Sequence, residues 1–358
     1  MFTTPLKQVH IELGANIGEF AGWEVAMNYT SNIEEHMSVR NATGLFDVSH
    51  MGRIIIKGKD STEFLDYVTT KNVLKLSPGK ISIPTAMLNY KAGFVDDISL
   101  FMLDDKEYLI VCNAINRDKN LNWLNKIAKE KNYSIEILDI TFKTCMLAIQ
   151  GRKIKDFEEN ELNLNIERES FLRNIKVLDC KVEIISKSGW SGESGYELIL
   201  EIDEGKKLWK KLIEKGIKPC GIITRDSLRL EAGFLLYGNE ISEEINPLEA
   251  RYWIFSLNKG DYIGRKELES LLEKGVEKIR IGLIMKDKGP LPRKGNEIYS
   301  GNKKIGYITS GGYSPILEKG IAMGYINSGF FFLGGTVKIK IRDKMYDSKI
   351  AEPPFYKK

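Results

Sequence analysis

The chain is 358 residues long, 42% hydrophobic and 10% aromatic; that is room for two or three domains of about 150 residues with a large core, and it excludes a disordered chain. Its 53 Lys and Arg against 49 Asp and Glu leave a net charge of +4, interspersed rather than blocked, which argues against a nucleic-acid surface. Three His and four widely spaced Cys supply neither a metal site nor a disulfide framework, and no apolar run reaches the roughly 18 residues of a membrane span. The expectation is a cytoplasmic protein with no metal, no membrane segment and four buried, reduced thiols.

In chain order, Asp60-Ser61-Thr62-Glu63 reads as a capping box, with Glu63 reaching back to the Asp60 amide and Phe64, Leu65 and Val68 forming the apolar stripe of the helix that follows. Ile98 to Leu103 and Tyr108 to Val111 read as strands of a hairpin broken at Asp104-Asp105. Leu121, Leu124 and Ala128 share one face of a helix predicted from about Arg117 to Lys131. A lysine-rich helix turns Leu208 and Leu212 inward and ends near Gly216; another runs from about Arg265 to Lys274 and stops at Gly275. From about residue 278 the texture becomes all-β, with strands predicted at Ile279 to Met285, Lys303 to Thr309 and Thr336 to Ile341 between Gly, Pro, Asn and Ser. The division is therefore 1–277 and 278–358.

The generic motifs are absent: no GxGxxG, no Walker lysine loop and no GxSxG, which disfavours a bound nucleotide. His50 sits in Asp47-Val48-Ser49-His50-Met51, too close to its neighbours for a catalytic triad, and reads as a turn or packing residue. Asp96-Asp97 opens a strand after the turn at Ala92-Gly93. Adjacent strand residues face opposite ways, so one carboxylate at most is expected to look into a given cavity, and a solvated strand start is the other reading. The segment from Ser188 to Glu197 packs three Gly around Trp190 and Tyr196; it suits either close backbone approach to a ligand or a surface hairpin. Thr224 to Leu230 reads as a helix opening whose N-terminus favours anions, or as an ordinary capped helix with an exposed Arg.

Taken together, Gly44 to Gly52 (GLFDVSHMG), Met87-Leu88-Asn89, Gly93 to Asp97 (GFVDD), Ala148 to Gly151 (AIQG), the SGWSGESGYE loop, Arg225 to Gly233 (RDSLRLEAG), Asn246 to Ala250 (NPLEA), Gly260 to Arg265 (GDYIGR) and Thr309 to Pro315 (TSGGYSP) resemble, in this order and spacing, the tetrahydrofolate-dependent aminomethyltransferases, or T-proteins, of the glycine cleavage system. The resemblance runs over nearly the whole chain. It implies an α+β fold: two interleaved folate-binding subdomains and a C-terminal β-barrel, in a three-leaf clover around a central cavity. The implied reaction moves the aminomethyl carbon from the lipoyl arm of H-protein to tetrahydrofolate, giving ammonia and 5,10-methylene-tetrahydrofolate. Glycine decarboxylase and dihydrolipoyl dehydrogenase are the implied associates.

By the same resemblance Asp96 is the catalytic anion beside the pterin nitrogens, with Asp97 turned away. Asn113 lines the pterin pocket, Glu197 binds the aminopyrimidine edge, and Arg225 holds the pterin carbonyl or fixes a carboxylate. Met51 and Trp253 match apolar cavity positions. Trp190-Ser191 stands where the family has Tyr-Thr, making one pocket wall larger, and Ile81 to Pro84 lacks a Tyr common in relatives. The nearest rival is a folate-dependent demethylase of the same fold acting on a small methylated compound. The folate-binding proteins of iron–sulfur assembly are disfavoured, because their signature cysteine is absent from Lys259 to Glu267.

Overall fold

Strands Phe94–Asp104 and Glu107–Cys112 form the hairpin predicted from the acidic break, with Lys106 in the left-handed region at φ 61°. The computed structural model describes residues 1–162 and 166–356. These form two compact units, the first of residues 1–87, 96–225 and 256–262, the second of residues 88–95, 226–255 and 263–358.

In the first unit a five-stranded sheet runs in the order Ile81–Leu88, Phe94–Asp104, Glu107–Cys112, Gly52–Lys57, Glu136–Asp139. Helix Arg117–Glu130 lies against its last two strands and buries Leu124 and Ile127, three residues and so just under one turn apart, while Lys126 and Lys129 are exposed. Helix Ser61–Val68 buries Phe64, Leu65 and Val68 as predicted, but the capping box does not form. Glu63 pairs with Lys106 at 2.9 Å, and the Asp60 carboxylate instead accepts the Ser134 amide at 2.7 Å. With Asp60 at φ −102°, ψ 8°, its backbone lacks the extended geometry that a capping side chain needs.

A six-stranded sheet follows in the order Phe171–Val177, Cys180–Ser186, Gly195–Glu201, Thr144–Gln150, Gly44–Asp47, Lys218–Pro219. Its core gathers Leu147, Ile149, Leu198 and Leu200 with Leu208, Trp209 and Leu212 of the lysine-rich helix Ile202–Glu214. The three apolar side chains that the helix buries, each worth roughly 1.5–3 kcal/mol on full burial, explain why it can leave its lysines in water. Gly216 ends it at φ 83°. Cys112, Cys145, Cys180 and Cys220 are all free and buried.

The second unit contains a closed barrel in the order Lys278–Met285, Lys319–Asn327, Lys303–Ser314, Glu297–Ser300, Thr336–Ile341, Lys344–Ala351. Strict alternation fills it: Ile281, Leu283 and Met285 on one strand and Val337, Ile339 and Ile341 on another face inward. Helix Ile222–Ala232 contributes Arg229, fully buried, whose guanidinium meets Glu240 at 2.9 Å and donates to Ser310 at 2.8 Å. Thr309 and Tyr325 donate to the same glutamate's carboxylate and carbonyl. A buried charge pair satisfied on both sides ties the helix to the barrel strands.

Candidate functional site

The segment Asp47 to Gly52 is a tight turn joining two sheets, since Gly44–Asp47 belongs to the six-stranded sheet and Gly52–Lys57 to the five-stranded one. Three buried polar residues hold it. Asp47 accepts the Ser49 amide at 2.9 Å and pairs with His10 at 2.9 Å, whose other ring nitrogen meets the Tyr29 hydroxyl at 2.8 Å. Burial opposes the Asp47 charge, yet the His10 and Ser49 contacts win and hold its acid at about 2. Arg53, wholly buried, donates to the carbonyls of Ser49 and Met51 at 3.1 and 2.5 Å and to Thr144 at 2.7 Å. The turn is thus fixed at both ends.

At its first end lies one group of candidate residues. Across the six-stranded sheet Ser186, Glu197, Ala148 and Phe46 sit directly opposite one another in successive strands, and directly paired residues share a face. Ala148 is the small residue between Glu197 and Phe46 in this row, and Arg225 reaches both of its neighbours. Its guanidinium lies 5.9 Å from the Phe46 ring and 5.5 Å from the Trp190 ring, with Nη2 3.4 Å from Glu197 Oε1. The other oxygen of Glu197 accepts the Ser188 hydroxyl at 2.6 Å, and Ser188 is itself 2.8 Å from Ser186. Gln150 steadies the loop by donating to the Ser188 carbonyl at 3.3 Å and accepting the Trp190 amide at 3.4 Å. Burial lowers the Arg225 acid constant and Glu197 opposes that shift.

At the second end lies the other group. Gly52 pairs with Cys112, the last residue of its strand, and Asn113 follows; half-buried Met51 sits in the turn, its amide donating to the Val48 carbonyl at 3.1 Å. Asp96 is fully buried, and all five groups bonded to its oxygens are N–H donors. Oδ1 accepts from the Asp97 amide at 3.1 Å and from the side chains of Asn113 and Asn116 at 2.7 Å each; Oδ2 accepts from the Asn113 amide at 3.2 Å and the Asn120 side chain at 2.6 Å. Burial, then the charge of Asp97, push the Asp96 carboxyl up to about 7, while the three asparagines pull it down. A carboxylate surrounded by donors alone is built to be used as an anion.

Asp97 does not turn away. Its carboxylate accepts the same Asn113 side chain at 2.8 Å. The Asn113 side-chain amide, just past the end of Glu107–Cys112, reaches both acids, and it meets the Asp97 carbonyl at 3.2 Å as well.

His50, between the two groups, is buried and packs edge-on against Phe20 at 5.6 Å. Its Nδ1 has no hydrogen-bond partner among the described residues, and neither has Arg225 Nη1. Burial holds the His50 acid constant down to about 4; Asp47 opposes this and the charges of Arg225 and Arg53 assist it.

Of the seven residues singled out from sequence, Trp190, Glu197 and Arg225 form one contact group, and Asp96 and Asn113 meet in another; Met51 stays in the turn, its carbonyl bonded to Arg53. Trp253 joins neither in the described contacts: it belongs to the second unit, is 67% exposed and lies beside Phe255 at 5.4 Å. Sequence reasoning missed Asn116, Asn120 and Ser188. The first two carry a readable signal, being four apart where a helix begins; a serine in a Gly-rich loop carries none. Among the described residues no group of three or more His, Cys, Asp or Glu is placed to hold a metal, and no helix is long and apolar enough to cross a membrane.

Known proteins resemble this arrangement over its whole length. Residues 6–259 match the profile of the GCVT N-terminal domain and residues 278–357 that of the glycine cleavage T-protein C-terminal barrel domain. The aminomethyltransferase of Oceanobacillus iheyensis is 38% identical over 99% of this chain and 98% of its own; that of Thermus thermophilus is 37% identical over 99% of each. The crystal structure of glycine cleavage system aminomethyltransferase T from Bartonella henselae superposes with a TM-score of 0.91 at 30% identity, covering 99% of this chain and 98% of the other.

Proposed function

The chain belongs to the glycine cleavage T-protein family and is an aminomethyltransferase, and from that premise we propose that it moves the aminomethyl carbon from the lipoyl arm of H-protein to tetrahydrofolate. Residues 1–277 carry the folate chemistry in this reading and residues 278–358 form the barrel domain. Its setting is the cytoplasmic glycine cleavage system, with glycine decarboxylase loading the carrier and dihydrolipoyl dehydrogenase reoxidising it.

The observation that carries the reading is Asp96, buried completely yet faced by five N–H donors. The reaction asks for a fixed anion. The bond from the transferred carbon to nitrogen breaks as the bond to folate N5 forms, and the N5 proton leaves with ammonia. The carbon–sulfur bond then breaks as the bond to N10 forms, and the N10 proton goes to the thiolate. Positive charge develops on the carbon and its folate nitrogen in both steps, and a preorganised carboxylate stabilises it without reorganising at that moment. Asn113 borders that carboxylate, and Met51, matched to an apolar cavity position by resemblance, is assigned to the apolar surroundings of the substrate.

The other group suits the pterin. Glu197 presents a carboxylate to the paired N–H donors of an aminopyrimidine edge. Arg225 Nη1 and His50 Nδ1 are buried polar atoms wanting partners, which a ring bearing a carbonyl and N–H groups supplies. Trp190 offers its face to the same space. Trp253, matched to a cavity position by resemblance, is assigned to the apolar surroundings of the substrate.

The test is direct. Aminomethyl-loaded H-protein and tetrahydrofolate are mixed with the chain and ammonia release is followed. Folate-dependent release, abolished in Asp96→Asn, is the expected result. No release from a demonstrably loaded carrier, with folate shown to bind, sinks the reading and favours a demethylase.

A further inference from the structure

The geometry points to Asn116 and Asn120 as positioning residues that clamp the Asp96 carboxylate, one on each oxygen, and so fix both its orientation and its readiness to act as an anion. Asn116 donates to Oδ1 at 2.7 Å and Asn120 to Oδ2 at 2.6 Å. The two are four residues apart at the start of the 14-residue helix Arg117–Glu130, for which Asn116 is the N-cap, so one rigid element presents both amides on one face. Asn116 spends no side-chain contact on capping its own helix. Its amide goes to Asp96 instead.

Both amides are 3% exposed or less, and Asn120 Oδ1 has no partner among the described residues. A buried amide left half satisfied is a cost to folding. A residue chosen only for packing here would be apolar, and the donor atom is the part of Asn120 that is used. The charged and titratable groups that face this carboxylate are Asp97 on its own strand and Cys112 on the next strand, with Asp139 and Arg53 beyond Cys112. Against that like charge and the burial, neutral donors are the means of keeping Asp96 ionised.

The inference rests on the role of Asp96 proposed above, and the experiment separates the two. The pH dependence of kcat/KM for ammonia release is measured for the wild type, Asn120→Asp and Asn120→Leu, with melting temperature and folate affinity as controls. Removing the donor, or replacing it by an isosteric acid, is expected to move the acid limb upward by about one pH unit. That is about a fivefold loss at pH 7 that closes by pH 9. Asn116→Ala, at the helix boundary, should shift the limb in the same direction and serves if neither Asn120 variant folds. A uniform loss at every pH, or an unmoved limb, overturns the clamp, because packing alone does not respond to pH. Asp96→Asn run beside them tells the cases apart: normal turnover there overturns the reading of Asp96 itself, whereas an inactive Asp96→Asn with unmoved limbs overturns only the clamp.

Discussion

Arg225 Nη2 lies 3.4 Å from Glu197 Oε1, while the second amino group of the same buried guanidinium has no partner among the described residues. The pair is therefore long and half-used. An ion pair evolved for stability alone would close to a bidentate contact. Here one oxygen of Glu197 is drawn off by Ser188 at 2.6 Å, and the geometry keeps both residues able to take a third group.

Glu197→Gln keeps the size and the acceptor for Ser188 while removing the charge. Losing a charge-assisted contact of about 1.5–3 kcal/mol should weaken folate binding by roughly 10- to 100-fold, with carrier docking unchanged. Glu197→Ala should do the same and also melt earlier, because it strands the buried Arg225 charge. Titration of folate and of H-protein against each variant checks both; unchanged folate affinity would remove Glu197 from the pterin edge.

Asp96→Asn should cut turnover by at least about a hundredfold, as loss of a preorganised electrostatic group does elsewhere, without unfolding the chain. The new amide meets five donors, but Asn120 Oδ1 is unpartnered, so a half-turn of the Asn120 amide restores an acceptor. The pH signature has a definite sign. With its carboxyl raised to about 7, folded Asp96 keeps a proton that the unfolded chain gives up near 4. That contribution to stability is present at low pH and is lost as pH rises through this window. The melting temperature of Asp96→Asn relative to wild type should accordingly climb between pH 4 and pH 7. A flat difference would mean that Asp96 titrates normally.

The sequence made the barrel legible because period-two alternation, as in Thr336–Ile341, survives without knowledge of partners. The helices of residues 117–130 and 265–274 were legible from spacing and their glycine stop or lysine tail. Glu197 and Arg225 are 28 residues apart, and the row Phe46, Ala148, Glu197 beside which they meet exists only once three strands pair. Local pattern cannot supply that. The failed capping box at Asp60 has the same origin: Lys106, 43 residues away, outcompeted the local contact for Glu63. Asp97 was misplaced because alternation does not foresee a single amide, that of Asn113, reaching the carboxylates of both neighbours.

Gly195 tests whether strand spacing sets the position of Glu197. A Cβ there would lie 2.2 Å from the Ile149 carbonyl oxygen and 2.8 Å from the Gln150 Cα, contacts that backbone cannot yield without parting the strands. Gly195→Ala should destabilise the chain by about 2–3 kcal/mol and weaken folate binding beyond what the lost stability explains, since Glu197 follows two residues later. Unchanged folate affinity in the folded fraction would show that the Ser186–Glu197 row tolerates displacement.

His50 should make the chain acid-sensitive over the range in which Asp96 acts with the opposite sign, so its contribution is read as a difference from wild type. Its acid constant is about 4 in the folded chain against 6.5 unfolded, so the folded state binds fewer protons between those values. Stability present above pH 6.5 is then lost as pH falls toward 4, by about 3 kcal/mol in all for a group this buried. Asp47, held at about 2, acts only at lower pH and does not blur the window. Because Nδ1 has no partner to lose, His50→Leu should melt close to wild type at pH 7 and above it at pH 5. Denaturant unfolding at the two pH values measures this; parallel curves for the two proteins would mean that the ring takes up a proton in place, and that a counter-charge reaches it.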